Sequence, residues 1–116
     1  GLPKVHRVVA AVDCGIPINP NVIEAQVQGS IGFGLGAILA EKVTMTAGVV
    51  DQGNYDTYTP LRMNAMPDVD VHIVASDASP TGIGEPAVPP IGPAVANAVA
   101  AATGKVYRDL PMIKDG

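Results

Sequence analysis

Between Asn19 and Lys42 the chain carries its longest apolar stretch, and Gly29, Gly32, Gly34 and Gly36 are set inside it. Asn19 offers a capping side chain, and Pro20 suits a first helical turn, where its missing N–H would have had no partner. A helix is therefore predicted from Pro20 to about Glu41. Each glycine costs such a helix roughly 1 kcal/mol against alanine, so propensity opposes it and packing has to compensate. Gly29, Gly32, Gly36 and Ala40 follow at steps of three and four and share a face, where bare backbone admits another element or a ligand. The fold is expected to be organised around this buried, closely packed helix.

Other elements follow from local pattern. Val5, Val8, Val9 and Val12 mark a strand over Lys4 to Asp13, buried on both faces near its end. Lys42 to Thr46 and Val49 to Asp51, split by Ala47-Gly48, read as a short hairpin. Residues 52 to 67 are of mixed polarity and are expected to run over the surface. Val69, Val71, Ile73 and Ala75 alternate with Asp70 and His72, as in a half-buried strand. Ser76 to Pro90 reads as a glycine/proline loop, Ile91 to Thr103 as a second helix stopped by Gly104, and Val106 to Leu110 as a last short strand. The expected architecture is α/β (α+β), two helices packed on a small mixed sheet. Residues 1–116 are read as one unit, because 116 residues fit one small domain. Aromatic residues make up only 3%, with Phe33 the single Phe, so the core must be aliphatic and thin for a domain standing alone.

Several function classes are set aside. The net charge is −4 and no Lys/Arg run interleaves with aromatics, so nucleic acid is not an expected partner. Cys14 is the single cysteine, so no iron–sulfur or structural zinc site is expected from this chain's own residues. Glu24, Gln26, Gln28, Glu41 and Lys42 interrupt or bound the longest apolar stretch, so no membrane span of the necessary ~18–20 residues is expected. The start at Gly1, running straight into Val8 to Val12, argues against a signal peptide and for a cropped natural N-terminus.

The most informative stretch is Thr81-Gly82-Ile83-Gly84-Glu85-Pro86-Ala87-Val88-Pro89-Pro90. Gly82 and Gly84 permit unusual backbone angles, while Pro86 holds Glu85 to extended conformations, so backbone geometry places this carboxylate. Ile83, Ala87 and Val88 are expected to desolvate it and strengthen it as a general base. From the residues alone two readings stand: a helix cap or solvated turn residue, which is the commoner role, and a catalytic base.

The run Gly82 to Pro90, followed by Ala94-Val95-Ala96-Asn97-Ala98-Val99, resembles the final active-site loop and helix of the xanthine oxidase family. Val12-Asp13-Cys14-Gly15, Ile18-Asn19-Pro20, Gln26-Val27-Gln28-Gly29, Gly34-Leu35-Gly36 and Tyr107-Arg108-Asp109-Leu110-Pro111 resemble the same family in the same order. The resemblance covers nearly the whole chain, and within the family it points to isoquinoline oxidoreductase β subunits and related bacterial aldehyde dehydrogenases. It implies the C-terminal part of a molybdenum cofactor-binding domain in a large subunit several times longer. The implied activity is oxidative hydroxylation of an N-heterocycle or aldehyde with water-derived oxygen. Glu85 matches the family's catalytic carboxylate, which takes the proton from Mo–OH. Gln26 matches a glutamine beside the pterin, and its amide can donate and accept. Gly82, Ile83 and Gly84 would bring backbone N–H groups to the cofactor, and Gly29 would let the helix approach it, although plain helix packing explains Gly29 equally well. No residue here is expected to ligate the metal. The implied cofactor is a molybdenum–pterin in its molybdopterin cytosine dinucleotide form. The implied partners are the rest of the large subunit, a small subunit carrying two 2Fe-2S clusters, and a small-molecule substrate. The isolated piece is expected to be inactive.

Two rivals are weighed. An interaction or scaffold module could keep this fold without the chemistry, but it would not require Glu85 between its glycines. Gly32-x-Gly34-x-x-Ala37, with Asp51 downstream, fits a loose dinucleotide fingerprint, yet it falls inside the predicted helix, not after a strand. Cys14 reads as a small buried hydrophobe, His6 and His72 lack ligand spacing, and the scattered methionines read as packing residues.

Overall fold

The structure, a computed structural model, describes residues 2–113; Gly1 and residues 114–116 of the expected 1–116 unit lie outside them. In chain order the elements are β1 (Arg7–Val12), α1 (Pro20–Leu39), β2 (Met45–Thr46), β3 (Val49–Val50), β4 (Asp68–Ile73) and α2 (Val88–Thr103), with a 3-10 turn at Met63–Ala65. β1 and β4 pair in parallel, from Arg7 opposite Asp68 to Val12 opposite Ile73. Parallel partners need a long crossover, and here it contains α1, the β2–β3 hairpin and the 3-10 turn. β2 and β3 form an antiparallel hairpin whose turn places Ala47 and Gly48 at φ 51 and 82, so parallel and antiparallel pairing occupy separate two-stranded sheets.

α1 begins as the sequence predicts. The Asn19 side chain accepts from the Val22 N–H at 3.3 Å, satisfying one of the donors a helix start leaves open. Its last carbonyls are satisfied from the far end of the chain: the Met112 and Ile113 N–H groups donate to Ile38 and Leu39 at 2.8 Å. Val27, Ile31, Leu35, Ile38 and Leu39 of α1 meet Ile91 and Val95 of α2, with Met112 closing one end of this aliphatic core.

The glycines act differently from the expected stripe. A Cβ on Gly34 would meet the Cγ2 methyl of Ile91 and lie 3.0 Å from the Val88 carbonyl oxygen, so the close helix approach is made at Gly34. Gly32 instead faces Met66, Gly36 faces Glu41 and the Leu61 backbone, and Gly29 has nothing within 4 Å.

Four further expectations are corrected. α2 starts at Val88, not Ile91, because Pro89 and Pro90 occupy its first turn, where a proline forfeits no helical hydrogen bond. Residues 106–110 form no strand, since no described strand lies beside them to pair with. β1 is half-buried in strict alternation and not covered on both faces; Val9 remains 59% exposed. By length and composition α1 could cross a membrane, because its few polar side chains do not break a 20-residue helix; half of it is buried within this fold, as in a core helix. That same continuous helix through Gly32 removes the dinucleotide fingerprint, which needs a strand before its first glycine.

Candidate functional site

The Glu85 loop is held from both sides. After β1 the chain turns at Gly15 (φ 74), where a Cβ would collide with the Ser79 carbonyl oxygen, so only glycine lets the two segments lie together. Across this contact the Ile16 N–H donates to Ala78 at 3.0 Å and the Thr81 N–H to Cys14 at 2.9 Å. Cys14 itself is buried, a small packing residue at the strand end. Further along, the Ser30 hydroxyl of α1 donates to the Gly84 carbonyl at 3.1 Å. The Glu85 carbonyl then accepts from the Val88 N–H at 3.0 Å, closing the turn into α2.

These ties leave a cleft of about 400 Å³ between α1 and the loop. α1 lines it with Gln26, Gly29, Ser30 and Phe33; the loop and the start of α2 line it with Gly84, Glu85, Val88 and Pro89. Glu85, Gln26 and Gly84, three of the five residues singled out by sequence, therefore face one space. Gly29 leaves the helix side of that space bare. Neither the Gln26 amide nor the Glu85 carboxylate has a hydrogen-bond partner among the described residues.

Gly82 and Ile83 are not part of the lining. Ile83 turns inward and packs on the core, and Gly82 is exposed with open space around it. The desolvation expected at Glu85 is also missing: Ala87 packs on the core with Ile83, and the carboxylate is exposed. Two lining residues escaped the sequence reading. Phe33 is 70% exposed on the cleft side of α1, and Ser30 is the buried polar side chain of the described core. The spacing held a clue to Ser30, since it lies four residues after Gln26 and thus on the same helix face. Among the described residues no three His, Cys, Asp or Glu side chains converge to hold a metal.

The parallel β-α-β crossover thus brings a loop carboxylate and a helix amide to one open cleft, an arrangement that can receive a ligand. The family model of the molybdopterin cofactor-binding domain matches residues 1–67, more than half of the sequence. The chain belongs to that family and corresponds to a piece of a xanthine oxidase family molybdenum-binding subunit. It is 40% identical over 109 residues to the isoquinoline 1-oxidoreductase subunit beta of Brevundimonas diminuta, covering 94% of this chain and 14% of that one. With the xanthine dehydrogenase molybdenum-binding subunit of Escherichia coli O157:H7 the identity is 33% over 118 residues, covering 93% and 15%. The crystal structure of quinoline 2-oxidoreductase from Pseudomonas putida 86 superimposes with a TM-score of 0.83 at 26% identity, covering 93% of this chain and 15% of that one. The chain thus spans about one-seventh of the length of these relatives.

Proposed function

We propose that this chain is the C-terminal part of a molybdenum cofactor-binding domain and forms one wall of the cofactor site in a molybdenum hydroxylase. Its substrate class is an N-heterocycle or an aldehyde, and Glu85 is its general base. The observation that carries this reading is the convergence of Gln26, Gly84 and Glu85 on one cleft whose helix side is bare at Gly29.

The residues present fit a pterin. The Gln26 amide can donate to and accept from a flat heterocycle edge, and Gly29 lets that edge approach the helix backbone. Gly82 and Gly84 carry no side chain to obstruct the loop's approach, and with Ile83 they are proposed to offer backbone N–H groups. When bound, the cofactor supplies the redox centre that takes two electrons from the substrate and delivers oxygen derived from water. Glu85 holds, at a carboxylate oxygen, the proton released as the new C–O bond forms, which is ordinary general-base work. Its exposure here means that the rest of the subunit has to exclude water from it, raising the strength of every electrostatic contact in the closed site. The cofactor is taken to be the molybdopterin cytosine dinucleotide form. The proposed partners are the remainder of the subunit and a small subunit with two 2Fe-2S clusters that removes the electrons.

Glu85→Gln in the full-length subunit tests the assignment, because it keeps shape and removes the ability to hold a proton. Molybdenum and pterin contents should stay at wild-type levels while turnover falls by roughly 10²- to 10⁴-fold. Near-normal turnover would remove Glu85 from the mechanism.

A further inference from the structure

Ser30 is 6% exposed and sits on α1 one turn after Gln26. Its hydroxyl donates to the carbonyl of Gly84, the residue immediately before Glu85, at 3.1 Å and across 54 positions of sequence. Between Thr81, anchored to Cys14, and Val88, which closes the turn on Glu85, this is the hydrogen bond that fixes the loop to α1 among the described residues. One helix thus carries both Gln26 and the tie that sets how far Glu85 stands from it.

We infer that Ser30 is a positioning residue: its hydroxyl sets where the backbone that carries Glu85 stands relative to the Gln26 wall of the cleft. This rests on the reading of Glu85 as general base. A helix position only 6% exposed would otherwise be filled at no polar cost by alanine, whose volume is close to that of serine. A hydroxyl at such a position has to be satisfied, and here the loop carbonyl satisfies it. Nothing lies within 4 Å of where a Cβ on Gly84 would stand, so no side-chain packing braces the backbone there and the bond from Ser30 does.

The test uses the full-length subunit loaded with cofactor, with turnover normalised to molybdenum content and hydrogen exchange followed at the amides of residues 82–87. In Ser30→Ala, kcat per molybdenum should fall roughly 10- to 100-fold, the range expected when a reacting group is displaced by about 1 Å, with KM little changed. Exchange in the loop should quicken, and Ser30→Thr, which retains a hydroxyl, should recover both. Because Ser30 acts through Glu85, the double variant S30A/E85Q should be no slower than E85Q alone. Wild-type kcat per molybdenum in S30A, unchanged loop exchange, or losses that multiply in the double variant would each overturn the inference. If S30A fails to load cofactor, Ser30→Thr and Ser30→Val decide, since they share a shape and differ in the hydroxyl: equal turnover in the two refutes it. A normal E85Q sinks the general-base reading itself, whereas a dead E85Q beside a normal S30A removes only the role of Ser30.

Discussion

Gly34 of α1 lies directly under the Cγ2 methyl of Ile91 in α2, close enough that a Cβ there would overlap it. The Val88 carbonyl oxygen, 3.0 Å from the same point, is backbone and cannot rotate away as a side chain would. Since the Val88 N–H donates to the Glu85 carbonyl, the separation of the helices at Gly34 also sets the height of the Glu85 loop. Gly34→Ala should therefore destabilise the subunit by about 1–3 kcal/mol, the usual cost of overpacking, despite roughly 1 kcal/mol gained in helix propensity. Chemical denaturation measures it, and an unchanged midpoint would show that the helices separate freely.

Gly29, five residues earlier on the same helix, makes the opposite case. Nothing stands within 4 Å of its missing Cβ, so Gly29→Ala meets no clash and gains helix propensity. The apoprotein should be more stable by up to about 1 kcal/mol. If the cleft takes the pterin, the same methyl intrudes on it, and molybdenum and pterin content should drop at least several-fold. Stabilisation with full cofactor content would assign Gly29 to packing history and not to the site.

The contrast between these glycines shows where sequence reading stops. Periodicity grouped Gly29, Gly32 and Gly36 along α1, while Ala40 falls beyond the helix end as its C-cap, and what the glycines meet depends on long-range topology: Met66, Glu41 and Leu61 arrive from the crossover, and α2 arrives at Gly34. Local chemistry was readable wherever one residue's backbone preference decides the outcome: the Asn19 cap, the Ala47-Gly48 turn and the left-handed stop at Gly104 (φ 73). Pro89 and Pro90 misled because a proline breaks a helix interior yet starts a helix well, and neighbours alone do not tell which applies. At the site, the Gly/Pro frame marked Glu85, and position along α1 marked Gln26. Spacing placed Ser30 on the Gln26 face, but its role was hidden because a serine amid aliphatics gains its meaning from a carbonyl 54 residues away.

The hairpin offers an electrostatic prediction. Asp51 accepts from the Thr44 hydroxyl at 2.7 Å, and its N–H donates to the Thr44 carbonyl at 3.0 Å, so the pair bridges the open end of β2 and β3. Hydroxyl donation from Thr44, and secondarily from Thr46, favours the charged form and holds the Asp51 carboxyl below its ordinary value of 3.8, against a small opposing effect of burial. A lowered folded-state value means that the contribution to hairpin stability is present above 3.8 and is lost as pH falls through the lower folded value. Carboxyl carbon NMR of labelled protein should show Asp51 titrating below 3.8, and Thr44→Val should move that midpoint upward towards it. A midpoint unmoved by Thr44→Val would mean that the Thr44 hydroxyl does not set the charge state of Asp51.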